Sequence, residues 1–313
     1  MKAAELVAPT WMGRDDGLGP ERVHQRVKTL DLSDIKVAQK NSFCLLGFAC
    51  DEGVRRNKGR VGASEAPGAI RKSLASLAWN SKSDLYDLGD VTCKDGDLEA
   101  AQRDLGNCVK TLLAKNYTPL VLGGGHETAW GHFQGFTKEQ KESLLIINFD
   151  AHYDMRPMNE KKEGSSGTPF LQIAESCKKE KLPFNYLCIG IQGLSNTASL
   201  FKTAEQHDVK TIFADTLHND GIISSLDVLS QELAKYDHIY LSVCMDVFAQ
   251  AYAPGVSAPQ ALGLTPWQVL PLLRKIIRSK NILSADFVEL CPAFDRDAQT
   301  ARLLSALLME CCT

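Results

Sequence analysis

The sequence predicts an α/β protein, a three-layer α/β/α sandwich with one mostly parallel sheet of about eight strands between two layers of helices. Three observations predict it. Short β-rich runs alternate with helix-patterned segments almost from end to end, which implies βαβ units. Runs such as "FCLLGFA" and "LLIINF" are apolar without alternation, as strands buried on both faces are. Acids, imidazoles and thiols recur just past the carboxyl ends of these runs, where open α/β sheets bind ligands.

Taken in order, the strand candidates are 43–49, 84–88, 118–122, 144–149, 184–191, 210–214, 238–244 and 282–288. Helical spacing marks 98–115, 168–181, 196–207, 224–236 and 265–279, the last with Trp267, Leu270, Leu273, Ile276 and Ile277 along one stripe. No linker, repeat or low-complexity tract divides the chain, so residues 1–313 read as one domain.

Hydrophobic residues make up 44% and charged residues 23%, and the formal net charge is −3. That charge gives no reason to expect nucleic acid or an anionic membrane as a partner. No stretch approaches the roughly 20 apolar residues of a membrane span. The amino-terminal segment lacks a signal-peptide core, and cysteines lie inside apolar strands, as in "SFCLLGF" and "NYLCIGI". A reducing, cytoplasmic location is expected.

The chemistry concentrates in three segments. "NFDAHYD" ends a buried strand with Asp150, His152 and Asp154, ligand-type side chains at alternating positions that project to one side. Carboxylates this close repel unless a proton or a cation lies between them. "LVLGGGHETAWGH" delivers His126 after three glycines, and "YLSVCMDVF" places Asp246 at another strand end. Carboxylates that bridge two ions and imidazoles that cap them would form a two-metal hydrolytic site, in which a shared water is acidified.

This set resembles the arginase/agmatinase (ureohydrolase) family, from "GVRRNKGRVGASEAPGAIR" to "DFVELCP". The resemblance implies an arginase-like sandwich with two manganese ions per subunit. It implies His126, Asp150, His152, Asp154 and Asp246 as metal ligands. Glu289 would stand where the family holds the substrate's amidine-like group, and Asp154 and Glu289 are the candidate catalytic carboxylates. The family commonly forms trimers or hexamers. Within it the pattern is most similar to the formimidoylglutamase branch: Gly125 and Glu127 replace the Asp and Ser usual in arginases, and Ser166 stands near the position of the arginase loop His. That branch implies hydrolysis of N-formimidoyl-L-glutamate to L-glutamate and formamide, in histidine degradation. A guanidino hydrolase with the same machinery, or a metal-deficient binding protein, are the alternatives.

A substrate with two carboxylates needs cations near the centre. Arg156, two residues after Asp154, suits a bidentate grip, and Arg60 in "RNKGR" is a second candidate. Asn196, after the fifth strand, is a candidate from position alone, as is Gln192. One departure stands out. Cys244 occupies the place of the family's first acid in Ser-x-Asp-x-Asp. It reads as a buried strand cysteine, a soft thiolate ligand that weakens one manganese site, or a redox-sensitive thiol able to pair with Cys50 or Cys291. His132 reads as a packing or capping residue, and His24, His207, His218 and His238 carry no chemistry in this reading.

Overall fold

Each apolar run becomes a strand because its side chains are claimed from both faces. A computed structural model describes residues 6–312 apart from 16, 18, 40 and 280. Its strands are β1 (Lys28–Thr29), β2 (Ser42–Ala49), β3 (Asp84–Thr92), β4 (Thr118–Leu122), β5 (Leu144–Phe149), β6 (Tyr186–Ile191), β7 (Lys210–Phe213), β8 (His238–Cys244) and β9 (Ile282–Val288). Among the described residues they form one nine-stranded sheet in the order β1-β3-β2-β4-β9-β8-β5-β6-β7. All pairings between these strands are parallel.

The alternation of side chains along each strand builds two cores. On one face Leu45, Ile147, Leu241 and Phe287 pack against helices Ala66–Ala75, Pro266–Arg278 and Gln299–Cys311. On the other, Leu46, Ile146, Cys188 and Tyr240 pack against helices Leu98–Ala114, Thr128–Phe133, Pro169–Glu180 and Ala198–Gln206. This is the expected three-layer sandwich, with one strand more than the apolar runs suggest. The extra strand, β1, has two exposed residues and therefore no apolar signal.

Local chemistry sets the helix boundaries. Thr265 and Gln268 form a capping box, with Pro266 opening the helix. Asp97 caps helix Leu98–Ala114 by accepting from the Ala100 amide at 2.9 Å. Along helix Pro266–Arg278 the buried stripe is Val269, Leu272, Leu273 and Ile276. Trp267, expected on that stripe, is 74% exposed, because the second helical residue lies a turn-fraction away from the sheet-facing side. Strand β3 runs four residues beyond the expected 88, carried through Gly89 at φ +94°, where a Cβ would meet the Val7 carbonyl oxygen at 2.4 Å. Beneath it Arg71, 3% exposed, grips Asp87 at 2.7 and 2.9 Å and also bonds Asp90.

The topology positions the site. Strands β4 and β5 follow one another in sequence but are separated in the sheet by β9 and β8. Their connection leaves in one direction while the β8–β9 pair fills the gap, and the crevice opens at the carboxyl ends of these four strands. No helix among the described residues is long and apolar enough to cross a membrane.

Candidate metal centre

Four adjacent strand ends deliver the polar cluster: His126 after β4, Glu289 after β9, Cys244 and Asp246 at β8, and Asp150 to Asp154 after β5. The glycine turn after β4 runs so close to β2 that a Cβ at Gly124 would lie 1.7 Å from the Cys50 carbonyl oxygen. Only bare backbone fits, and the turn carries His126 inward. Asp154 (φ 48°) and Glu289 (φ 67°) both hold left-handed backbone conformations. Such strain, about 1–3 kcal/mol per residue, persists where surrounding bonds over-determine it. Here the Phe170 amide donates to the Asp154 carbonyl at 3.1 Å, and the Glu289 amide to the Gly124 carbonyl at 2.9 Å.

Two groups of potential ligands result, each with its ligand atoms within 4.8 Å of one another: His126, Asp150 and Cys244, and Asp150, His152 and Asp246. Asp150 belongs to both. His126 Nδ1 lies 3.0 Å from Asp150 Oδ2 and 2.9 Å from Asp154 Oδ2, yet makes no aligned hydrogen bond. His152 Nδ1 lies 3.2 Å from Asp246 Oδ2 and 3.4 Å from Asp150 Oδ1. Asp246 Oδ1 is buried without a hydrogen-bond partner. Buried polar atoms that converge on a point without bonding one another are arranged for a cation between them. The donor set of carboxylates, imidazoles and one thiol fits a transition-metal dication.

The electrostatics say the same. Burial and the neighbouring Asp150 push the Asp246 carboxyl up to about 6 and raise Asp154 as well. Burial, with Glu127 and Asp246 nearby, pushes Glu289 well above the usual carboxylate range. Asp150 alone is held low: burial opposes its charge, but the neighbouring imidazoles of His126 and His152 outweigh burial. Burial and then Asp150, Asp246 and Glu289 raise the Cys244 thiol well above its ordinary value. The excess of negative charge is what a metal would relieve.

A cavity of about 210 Å³ opens over the centre, lined by His152, Asp154, Asp246, Glu289, Arg156, Asn57, Ser166 and Ser257 among others. A larger groove of about 900 Å³ lies at the opposite, amino-terminal edge, with no His or Asp in its lining. Arg156 lines the smaller cavity, and its guanidinium has no carboxylate partner among the described residues. Glu289 Oε1 accepts from the His126 amide at 2.8 Å, so the same carboxylate that faces the cavity also braces a candidate ligand.

Two other expected substrate contacts are placed differently. Arg60 donates to the Ser257 carbonyl at 3.0 Å and to the Val256 carbonyl, and its guanidinium stacks 4.1 Å over Phe294. Its donors are engaged in pinning the 256–257 segment, and it is absent from the cavity lining. Asn196 donates to the carbonyls of Ala151 and Gln192, both at 2.9 Å, and accepts from the Tyr153 amide at 3.0 Å. Its amide is turned onto the ligand loop instead of the cavity. All ten cysteines are free, and the Cys291 thiol donates to the Val61 carbonyl at 3.4 Å.

Sequence reasoning passed over Asn57, Ser257 and Asn148. Asn57 bonds Ser166 at 3.1 Å across the cavity rim. Asn148 donates to Asp150 Oδ2 at 3.1 Å, and the alternation that marked Asp150, His152 and Asp154 extends back to it. Nothing in the sequence points to Asn57 and Ser257, which approach only through loop packing.

Residues 41–313 match the model of the arginase family. A formimidoylglutamase of Legionella pneumophila is 41% identical over 300 residues, covering 96% of this chain and 94% of that relative. One from a Geobacillus strain is 43% identical over 307 residues, covering 96% and 93%. Among solved structures, formimidoylglutamase from Bacillus subtilis superposes with a TM-score of 0.83 at 26% identity, covering 96% of this chain and 94% of that one. Formiminoglutamase from Trypanosoma cruzi with Mn2+ gives 0.79 at 25% identity, covering 90% and 96%. With the strand-end ligands, the shared sheet and the matched length in agreement, the chain belongs to the arginase family.

Proposed function

We propose that the protein hydrolyses N-formimidoyl-L-glutamate to L-glutamate and formamide, with two manganese ions at the strand-end centre. The observation that carries the reading is Asp150, shared by both ligand groups beneath a cavity whose one unpaired guanidinium is Arg156. The similarity to formimidoylglutamases over 96% of the chain supports the substrate. His126, Asp150 and Cys244 would hold one ion and Asp150, His152 and Asp246 the other, with Asp154 beside His126. When bound, the metal would acidify water and polarise the formimino group. Glu289 would accept hydrogen bonds from the amidine nitrogens and so fix the carbon over the centre. Asp154 would take the proton of the attacking water and pass it to the glutamate nitrogen as the C–N bond breaks. Arg156 would grip a carboxylate at the cavity rim, where Asn57 and Ser166 lie beside it.

The test is an assay of the reduced, manganese-loaded protein with N-formimidoyl-L-glutamate, agmatine and L-arginine. Release of formamide and glutamate from the first alone is expected. Turnover of a guanidino compound in its place overturns the substrate. A protein that retains no metal and turns over none of the three is a binding protein instead. A cytoplasmic homotrimer or hexamer completes the proposal, and light scattering on the purified protein tests the assembly.

A further inference from the structure

Behind the centre, the two middle strands carry a cluster of buried polar side chains. Tyr240 and Ser242 on β8 lie in register with Ser284 and Asp286 on β9, all on the face covered by helix Thr128–Phe133. Above them sits His132 of that helix, and all five side chains are fully buried. Ser242 Oγ donates to Asp286 Oδ1 at 2.6 Å, and Tyr240 donates to Asp286 Oδ2. His132 Nδ1 lies 2.8 Å from the same Oδ2, and His132 Nε2 lies 2.5 Å from Ser284 Oγ. The Ser284 hydroxyl donates to the Pro119 carbonyl at 2.9 Å.

Counting hydrogens fixes which groups donate. A serine hydroxyl has one hydrogen. That of Ser284 goes to Pro119, so Ser284 Oγ must accept from His132 Nε2–H. His132 Nδ1 and Asp286 Oδ2, 2.8 Å apart, then share one further hydrogen, and the pair as a whole is neutral, which offsets the cost of burying a carboxylate. The same count runs the other way. The Ser242 hydrogen goes to Asp286, so Ser242 Oγ accepts from His126 Nε2–H, 3.0 Å away. His126 is thereby left with a bare Nδ1 aimed at Asp150 and Asp154.

We infer that the buried Asp286–His132 pair acts through the Ser242 hydroxyl to hold His126 with its Nδ1 turned to the metal. All three are positioning residues, and the inference rests on the reading of His126 as a ligand. Outer partners of ligating histidines typically contribute about ten- to a hundredfold to metal affinity.

The test is manganese binding to the metal-free protein, followed by the electron paramagnetic resonance of free Mn2+. Ser242→Ala removes one hydroxyl and leaves the Asp286–His132 pair intact. It and Asp286→Asn should each weaken binding about ten- to a hundredfold. The double variant should be no weaker than the worse single one, since both cut the same chain. If Asp286→Asn fails to fold, Ser242→Ala alone decides. Unchanged affinity in Ser242→Ala or additive losses overturns the relay while the metal reading stands. A wild type that binds no manganese overturns the metal reading itself, and the ligand role of His126 with it.

Discussion

In the proposed centre Asp150 carries the largest share of the chemistry, because both groups of potential ligands draw on it and its charge alone among the centre's carboxylates is favoured by its neighbours. Asp150→Asn keeps the shape and removes the charge. It should abolish turnover and manganese retention while leaving the circular dichroism and the unfolding midpoint close to wild type. Full turnover in that variant would sink the two-metal mechanism. Arg156 makes the complementary case. Its backbone amide is fixed to the Gly167 carbonyl at 2.8 Å, but its guanidinium is unpaired among the described residues. Arg156→Ala should raise KM about ten- to a hundredfold, the loss of a charge-assisted contact of about 1.5–3 kcal/mol, with manganese affinity unchanged. An unaltered KM would assign it to structure. Cys244 replaces an acid with a thiol that burial and its carboxylate neighbours keep protonated. To ligate, it must lose that proton, and sulfur is softer than manganese prefers. Cys244→Asp should therefore tighten manganese binding and remove its sensitivity to peroxide. A variant that binds no better, beside a wild type indifferent to peroxide, leaves Cys244 as packing.

At the scale of elements, the loop after β5 holds four site residues and has little regular structure of its own. It is ordered by side chains that reach it from elsewhere. Asn196 takes three of its backbone groups or those of its neighbour loop, and Tyr186 donates to the Tyr153 carbonyl at 3.2 Å while accepting from Asn148 at 2.9 Å. Asn196→Ala should accordingly lower manganese affinity and kcat together, with KM little changed. The loss of several buried bonds at about 1 kcal/mol each would also lower the unfolding midpoint. A variant with raised KM and unaltered metal affinity would return Asn196 to the substrate.

For the whole molecule, burial of ion pairs within and around the sandwich sets the response to acid. Glu52 is held low by its bond to Arg55, Glu99 by Arg56 and Glu310 by Arg274. A carboxylate depressed in the folded state favours folding above its unfolded value, about 4.3 for Glu, and loses that contribution as the pH falls through the folded value. The unfolding midpoint should thus hold from neutrality down to about pH 5 and fall steeply below about pH 4. High salt should soften the fall, because these pairs are partly exposed. Arg71 is the deeper case. Arg71→Met strands Asp87, fully buried, without its cation and should cost about 3–5 kcal/mol in denaturant titrations. A loss below about 1 kcal/mol would mean that Asp87 finds other support.

The layers, eight of the nine strands and the ligand-type residues at the strand ends are legible along the chain. Each of these depends on periodicity or on residues near one another in the chain. Asp150, His152 and Asp154 share a side because a strand alternates, and "LLIINF" is buried because both its faces are apolar. Tertiary structure decided what depends on the partner. β1 exists only through its pairing with β3 at Tyr86 and Asp87. Arg60, Asn196 and Arg156 are all polar residues near the site, yet only Arg156 keeps its charged group for the cavity, since the other two meet carbonyls and an amide first. His132 reads as packing in one dimension, and the register of β8 on β9 places it over Asp286, 154 residues away. A side chain's type is local, but the atom that satisfies it is chosen by the fold.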